Sequence, residues 1–91
     1  MTVEQVKQKI QDVILELLPH VEEQNLGDQT DIFSLGLDSI NAMSLIFNLQ
    51  DTFDVKFETD EISFDNFQTV AKIVELIEKK QGIKKVSSNK K

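Results

Sequence analysis

The stretch SINAMSLIFNLQ, residues 39–50, contains no charge in a chain that is 29% charged. On a helix, where successive residues lie roughly 100° apart, its apolar side chains separate into two stripes. Ala42, Leu45, Ile46, Leu49 and Phe53 fall on one side and make a normal core face. Ile40, Met43 and Phe47 fall on a second, nearly opposite side, with Ser44 and Asp51 beside them. A helix in a small bundle buries one face. The second stripe is therefore either covered by another segment, with Leu26 to Leu35 the obvious candidate, or left exposed for a partner. Met and Phe suit a docking patch because they are adaptable or large.

The same periodicity organises the rest of the chain. Residues 2–18 place Val3, Val6, Ile10, Val13, Ile14, Leu17 and Leu18 at the three-four spacing of one buried face. Thr2 and Gln5 fit a capping box at its start, and Pro19 stops it by lacking an amide donor. Residues 19–37 form a connection longer than the roughly 2–8 residues usual between bundled helices. It carries Leu26, Ile32, Phe33 and Leu35, so it is expected to pack across the bundle. Gly36 can take a positive φ and turn the chain sharply into the next helix, Ser39 to Phe53, for which Asp38 is the N-cap candidate. Residues 53–62 read as an irregular link holding at most one short turn, and residues 63–67 as another short turn. The last helix runs from about Thr69 to Lys80, with Val70, Ile73, Val74 and Ile77 buried, Lys79 and Lys80 suiting its dipole, and Gly82 ending it. Phe57, Phe64 and Phe67 are assigned to the core, where they could also line a cleft. No strand is convincing. The expected fold is all-α: a small four-helix bundle of three long helices plus one short, with a long loop between the first two. Residues 1–83 are assigned to the domain and residues 84–91, KKVSSNKK, to a Lys-rich flexible tail.

Composition removes several chemistries. At roughly 0.05–0.15 kcal/mol per residue, a domain of this size has about 4–14 kcal/mol of stability. That leaves little room for a buried catalytic apparatus. There is no Cys, hence no disulfide, thiolate metal site or Cys nucleophile, and the single His, His20, cannot build a multi-histidine centre. His20 reads as a surface residue beside Pro19. The start of the chain is polar and mixed in charge, unlike a signal peptide, and no run of 18 apolar residues occurs. A cytoplasmic, monomeric protein is expected. Residues 20–65 hold eleven acids against one lysine, Lys56. Such a surface disfavours nucleic acid and membranes of like charge and favours basic protein partners, although acidity also serves simple solubility.

Ser39 draws attention within this frame. Unpaired amides and the positive end of the helix dipole favour an anion beside it, by about 0.3–1 kcal/mol at an exposed site. A phosphate attached to Ser39 would accept hydrogen bonds from those amides. On local grounds alone the reading of Ser39 as a mere helix cap wins, because caps far outnumber modified serines.

LGLDSI, followed by NAMSLIFNLQDTFDVKF, closely resembles the phosphopantetheine attachment region of acyl and peptidyl carrier proteins. The aspartate-serine pair is Asp38-Ser39, an aromatic-Asp pair closing the helix is Phe53-Asp54, and FQTVAKIVELI, residues 67–77, is similar to the start of the family's fourth helix. The likeness spans roughly residues 3–80. It implies a free-standing, non-catalytic carrier whose Ser39 receives 4'-phosphopantetheine covalently from coenzyme A, through a separate phosphopantetheinyl transferase using magnesium. The arm's thiol would hold acyl, aminoacyl or ketide groups as thioesters for loading and condensing enzymes. Asp38 would help the transferase engage, and Ile40, Asn41, Met43, Ser44 and Phe47 would face partner enzymes. Local chemistry agrees: without Cys the thiol must be imported, and without an evident base another enzyme must activate Ser39.

Two features depart from the commonest pattern. Ile40 follows Ser39 where many members have Leu or Met, an apolar and nearly isosteric exchange. The acids that fatty-acid carriers usually place on the second helix are replaced here by Asn41, Ser44, Asn48 and Gln50. Partner contacts should rest more on shape and apolar burial than on steering, which favours polyketide or nonribosomal-type synthesis over housekeeping fatty acid synthesis. Other readings fit less well. A Ser39-His20-Asp38 hydrolase lacks the G-x-S-x-G elbow. A calcium loop opening at Asp51 would place Phe53 and Val55 at ligand positions and lacks its glycine, and no other metal site is expected. An unmodified docking adaptor using Ile40, Met43 and Phe47 is the alternative.

Overall fold

The computed structural model describes residues 2–82, and among them every regular element is helical. The tail assigned to 84–91 and the domain end at residue 83 lie outside the described residues. Helix α1, Val3–Leu17, starts at the expected capping box. The Thr2 hydroxyl accepts from the Gln5 amide at 3.1 Å, and the Gln5 side chain accepts from the Thr2 amide at 2.9 Å. Val6, Ile10, Val13 and Ile14 are buried, with Leu18 just beyond the helix. The expected stripe runs too far at both ends. Val3 is exposed, because it sits on the rim of a groove between α1 and the last helix and is covered on one side only. Leu17 is half-buried in the final turn.

The long connection contains two 3-10 turns, Glu23–Asn25 and Ile32–Leu35, and buries Leu26, Ile32 and Leu37. Its backbone polar groups find partners on the far side of the bundle, which is how a loop can cross an apolar core without stranding donors. The Ile32 amide donates to the Gln68 carbonyl at 2.9 Å and the Ala71 amide to the Asp28 carbonyl at 3.1 Å. Asp31 accepts from the Phe33 amide with one carboxylate oxygen and from the Gln68 side chain with the other. Lys7 on α1 pairs with Asp28 at 2.8 Å, and that hydrogen bond raises the lysine above its ordinary pKa. The loop is thus fastened to α1 and to the start of the last helix.

Helix α2, Ser39–Phe53, buries Leu45, Ile46, Leu49 and Phe53, with Ala42 half-buried beside them. It ends at Asp54, in the left-handed region at φ 54, a conformation that Asp tolerates better than most residues. After a 3-10 turn at Thr59–Glu61 comes α3, Phe64–Phe67, one turn long and capped by the Ser63 hydroxyl. Helix α4, Val70–Gln81, is capped by Thr69 and closed by Gly82 at φ 72. It buries Val70, Ile73, Leu76 and Ile77, whereas Val74 is half-buried. Helix α1 packs against both α2 and α4, and α3 lies on α4. Side chains complete the joints: the Gln50 side chain accepts from the Phe57 amide at 2.9 Å, Gln81 donates to the Phe53 carbonyl at 2.9 Å, and Lys80 pairs with Glu61 at 2.8 Å. Phe57 and Phe67 are buried and meet edge to face at 5.3 Å. Phe64 is not a core residue. It is 52% exposed, because it opens a one-turn helix at the surface, where it pairs with Phe33 at 4.8 Å between ring centroids.

Candidate functional site

The start of α2 is built by the residues just before it. Gly36 stands at φ 109, in the region open to glycine, and turns the chain after the Ile32–Leu35 turn. Leu37 is buried and anchors the next residue to the core. Asp38 is extended, and its carboxylate accepts from the Asn41 amide at 2.8 Å while its carbonyl accepts from the Ala42 amide at 2.8 Å. Asp38, not Ser39, is therefore the cap. The capping role considered for Ser39 is thus taken by its neighbour. Its side chain is the first of the helix proper, is exposed, and makes no hydrogen bond among the described residues. The amides of Ser39 and Ile40 belong to the helix's first turn and lack intrahelical acceptors, so they remain available to an anion.

His20 is exposed, as expected, but it is not idle. Its Nε2 lies 3.0 Å from the Leu35 carbonyl. The imidazole is thereby engaged away from Ser39, and no carboxylate or imidazole hydrogen-bonds the Ser39 hydroxyl among the described residues. Lys7 and Glu61, the groups displaced from their ordinary ionisation among the described residues, belong to the scaffold that fastens the loops.

Beyond Ser39 the second stripe of α2 is open. Ile40 is 78% exposed, Met43 50% and Phe47 58%, with Asn41 and Ser44 half-buried among them. The loop does not cover this stripe, because its own apolar anchors and hydrogen bonds tie it to α1 and α4. Next to the stripe a cleft of about 500 Å³ opens between α2, the preceding loop and α3. Ser39 and Met43 stand on it, Ile46 and Phe67 line it, and Phe33 and Phe64 meet across its wall. The sequence marked Phe57, Phe64 and Phe67 as possible cleft residues; Phe57 packs in the core and does not line the cleft, and nothing in the sequence showed that Phe33 would join the other two from the loop.

The sequence that builds this helix mouth and its surroundings matches a known family. The family model described as "Phosphopantetheine attachment site" matches residues 8–77. The chain belongs to the phosphopantetheine-attachment family. Its relatives include the acyl carrier protein of Exiguobacterium sibiricum, 33% identical over 78 residues that cover 86% of this chain and 96% of the relative. The acyl carrier protein of Buchnera aphidicola subsp. Acyrthosiphon pisum is 31% identical over 75 residues, covering 82% and 91%. The D-alanyl carrier protein of Streptococcus pyogenes is 32% identical over 75 residues, covering 79% and 95%. Members of the phosphopantetheine-attachment family are carriers rather than catalysts, and the helical bundle described above is consistent with that role. Among the described residues, no helix is long and apolar enough to cross a membrane.

Proposed function

We propose that Ser39 is the residue that receives 4'-phosphopantetheine and that the protein carries acyl or aminoacyl groups on that arm. The observation that carries this reading is the division of labour at the start of α2: Asp38 closes the helix, which leaves the Ser39 hydroxyl exposed at the positive helix end. The residues present fit the group. Ser39 Oγ bonds to phosphorus as the pyrophosphate linkage of coenzyme A breaks, the nucleotide portion leaves, and the hydroxyl proton passes to a base on the transferase. The amides of Ser39 and Ile40, which lack intrahelical acceptors, would hold the phosphate diester by hydrogen bonds. The arm supplies a thiol, which this Cys-free chain lacks, and holds its cargo there as a thioester.

Asp38 serves first as the cap and second as a carboxylate that the transferase meets beside Ser39. Ile40, Asn41, Met43, Ser44 and Phe47 form the face that partner enzymes cover. A patch of this kind binds through apolar area and shape, and the tether raises the local concentration of cargo at each enzyme it visits. The cleft lined by Ile46, Phe64 and Phe67 is the place where an apolar cargo would shelter from water. Acyl cargo and aminoacyl cargo both agree with the relatives. The uncharged stretch of α2 from residue 39 to residue 50 favours partners of the polyketide or nonribosomal type, with the protein acting as a cytoplasmic monomer.

The test is incubation with coenzyme A and a promiscuous phosphopantetheinyl transferase, followed by intact mass measurement. One added phosphopantetheine is expected, and none on Ser39→Ala. A bare wild-type protein after several transferases would favour the unmodified docking adaptor instead.

A further inference from the structure

We propose that His20 is a positioning residue for Ser39, acting through the Leu35 carbonyl; the proposal rests on Ser39 being the attachment residue. Fifteen residues separate His20 from Leu35, and the contact between them, at 3.0 Å, closes the long loop on itself. A carbonyl oxygen only accepts, so the imidazole must donate and Nε2 must carry the proton. The same ring packs against Gly36, with Nε2 3.5 Å and Cε1 3.6 Å from where a Cβ would stand. His20 thus holds both sides of the peptide joining Leu35 to Gly36, at the point where the backbone swings through φ 109.

The attachment segment begins directly after that corner. Leu37 is buried, Asp38 caps, and Ser39 opens α2. Leu35 is only half-buried and Gly36 is exposed, so apolar packing alone secures this corner weakly. The imidazole supplies a hydrogen bond and a flat wall where the core does not reach. Pro19, directly before it, has its own φ fixed by its ring, which sets the direction in which the chain enters His20. If this clip is lost, the Leu35–Gly36 corner opens part of the time. The fraction of molecules presenting Ser39 in one docked geometry then falls, and the apparent affinity for the transferase falls in proportion.

The experiment compares wild type, His20→Ala and His20→Gln, the last of which keeps an N–H donor of similar reach. The first measurement is amide hydrogen exchange at Gly36, Asn41 and Ala42, which donate to Phe33, Asp38 and Asp38, with the α4 amide of Ile73 as reference. The second is the kinetics of phosphopantetheine transfer. In His20→Ala, exchange at the three amides should rise about two- to tenfold, as expected for loss of one hydrogen bond, while Ile73 is unmoved. Transfer should lose kcat/KM through KM by the factor by which the closed fraction falls, a factor smaller than the rise in exchange. His20→Gln should restore both.

Unchanged exchange at Gly36, Asn41 and Ala42 overturns the proposal. So does an equal rise at Ile73, which would mark general destabilisation, or a Gln variant that behaves like Ala. A wild-type protein that is never modified sinks the attachment reading instead, and the exchange arm then judges the role of His20 by itself.

Discussion

Replacing Asp38 separates the structural duty of this residue from its duty in recognition. Its carboxylate accepts the Asn41 amide at 2.8 Å and is the side-chain cap of α2. In Asp38→Ala that amide loses its partner, at a cost of about 0.5–2 kcal/mol, typically about 1. Against a total of about 4–14 kcal/mol for a domain of this length, the loss is measurable. For a domain of roughly 60–100 residues it lowers Tm by about 4–8 °C per kcal/mol. Asp38→Asn keeps an acceptor oxygen at the same reach and loses only the charge, which is worth about 0.3–1 kcal/mol at an exposed helix N-terminus. The chain has no Trp and no Tyr, so urea titrations must be followed by far-ultraviolet circular dichroism rather than by tryptophan fluorescence. The expected order of midpoints is wild type, then Asn close behind, then Ala. The rate of phosphopantetheine transfer should follow a different order, with Asn impaired although it stays nearly as stable as wild type. If Asn and Ala lose the same stability, or if Ala loses none, then the capping argument is wrong. If Asn is modified as fast as wild type, the carboxylate has no role in recognition.

The two faces of α2 should respond oppositely to truncation. Leu49→Ala, at a fully buried position, should cost about 2–5 kcal/mol in urea denaturation, whereas Phe47→Ala should stay within about 0.5 kcal/mol yet weaken capture by a partner enzyme. Gly36→Ala should cost about 1–2 kcal/mol through its positive φ, since a Cβ there meets His20 only at ordinary contact distance, and thermal melts will report it. The Glu61 carboxyl is held below its ordinary pKa, first by the hydrogen bond from Lys80 and then by the Glu58 amide. A depressed carboxylate contributes stability that is fully present above its unfolded pKa and is lost as pH falls through the folded value. Melting temperatures of wild type and Lys80→Met should therefore differ near neutral pH and converge under acid; a gap that persists after Glu61 is protonated would contradict this.

Local physics was enough to read the helices from the sequence. The capping box at Thr2 and Gln5, the stop at Pro19, the cap at Asp38 and the ends at Asp54 and Gly82 act within a few residues, and the apolar spacing of α1, α2 and α4 names their buried faces. The candidate attachment residue, Ser39, was legible through the resemblance of the short stretch LGLDSI to the family's pattern, where local physics alone favoured a cap. Packing between distant segments decided the rest. Whether Ile40, Met43 and Phe47 would be covered depended on where the long loop went, and that was settled by Asp28, Asp31 and Ile32 finding partners on Lys7, Gln68 and Ala71. Phe64 left the core because a one-turn helix at the surface has no second layer above it. Phe33 reached the cleft, and His20 reached Leu35, only when the loop closed. Glu78, on α4, is buried with one carboxylate oxygen unpaired among the described residues, which nothing in its polar neighbourhood along the chain foretold. Helical period and caps are properties of a window of residues; coverage of a face is a property of whichever segment arrives there, and only the folded chain brings that segment.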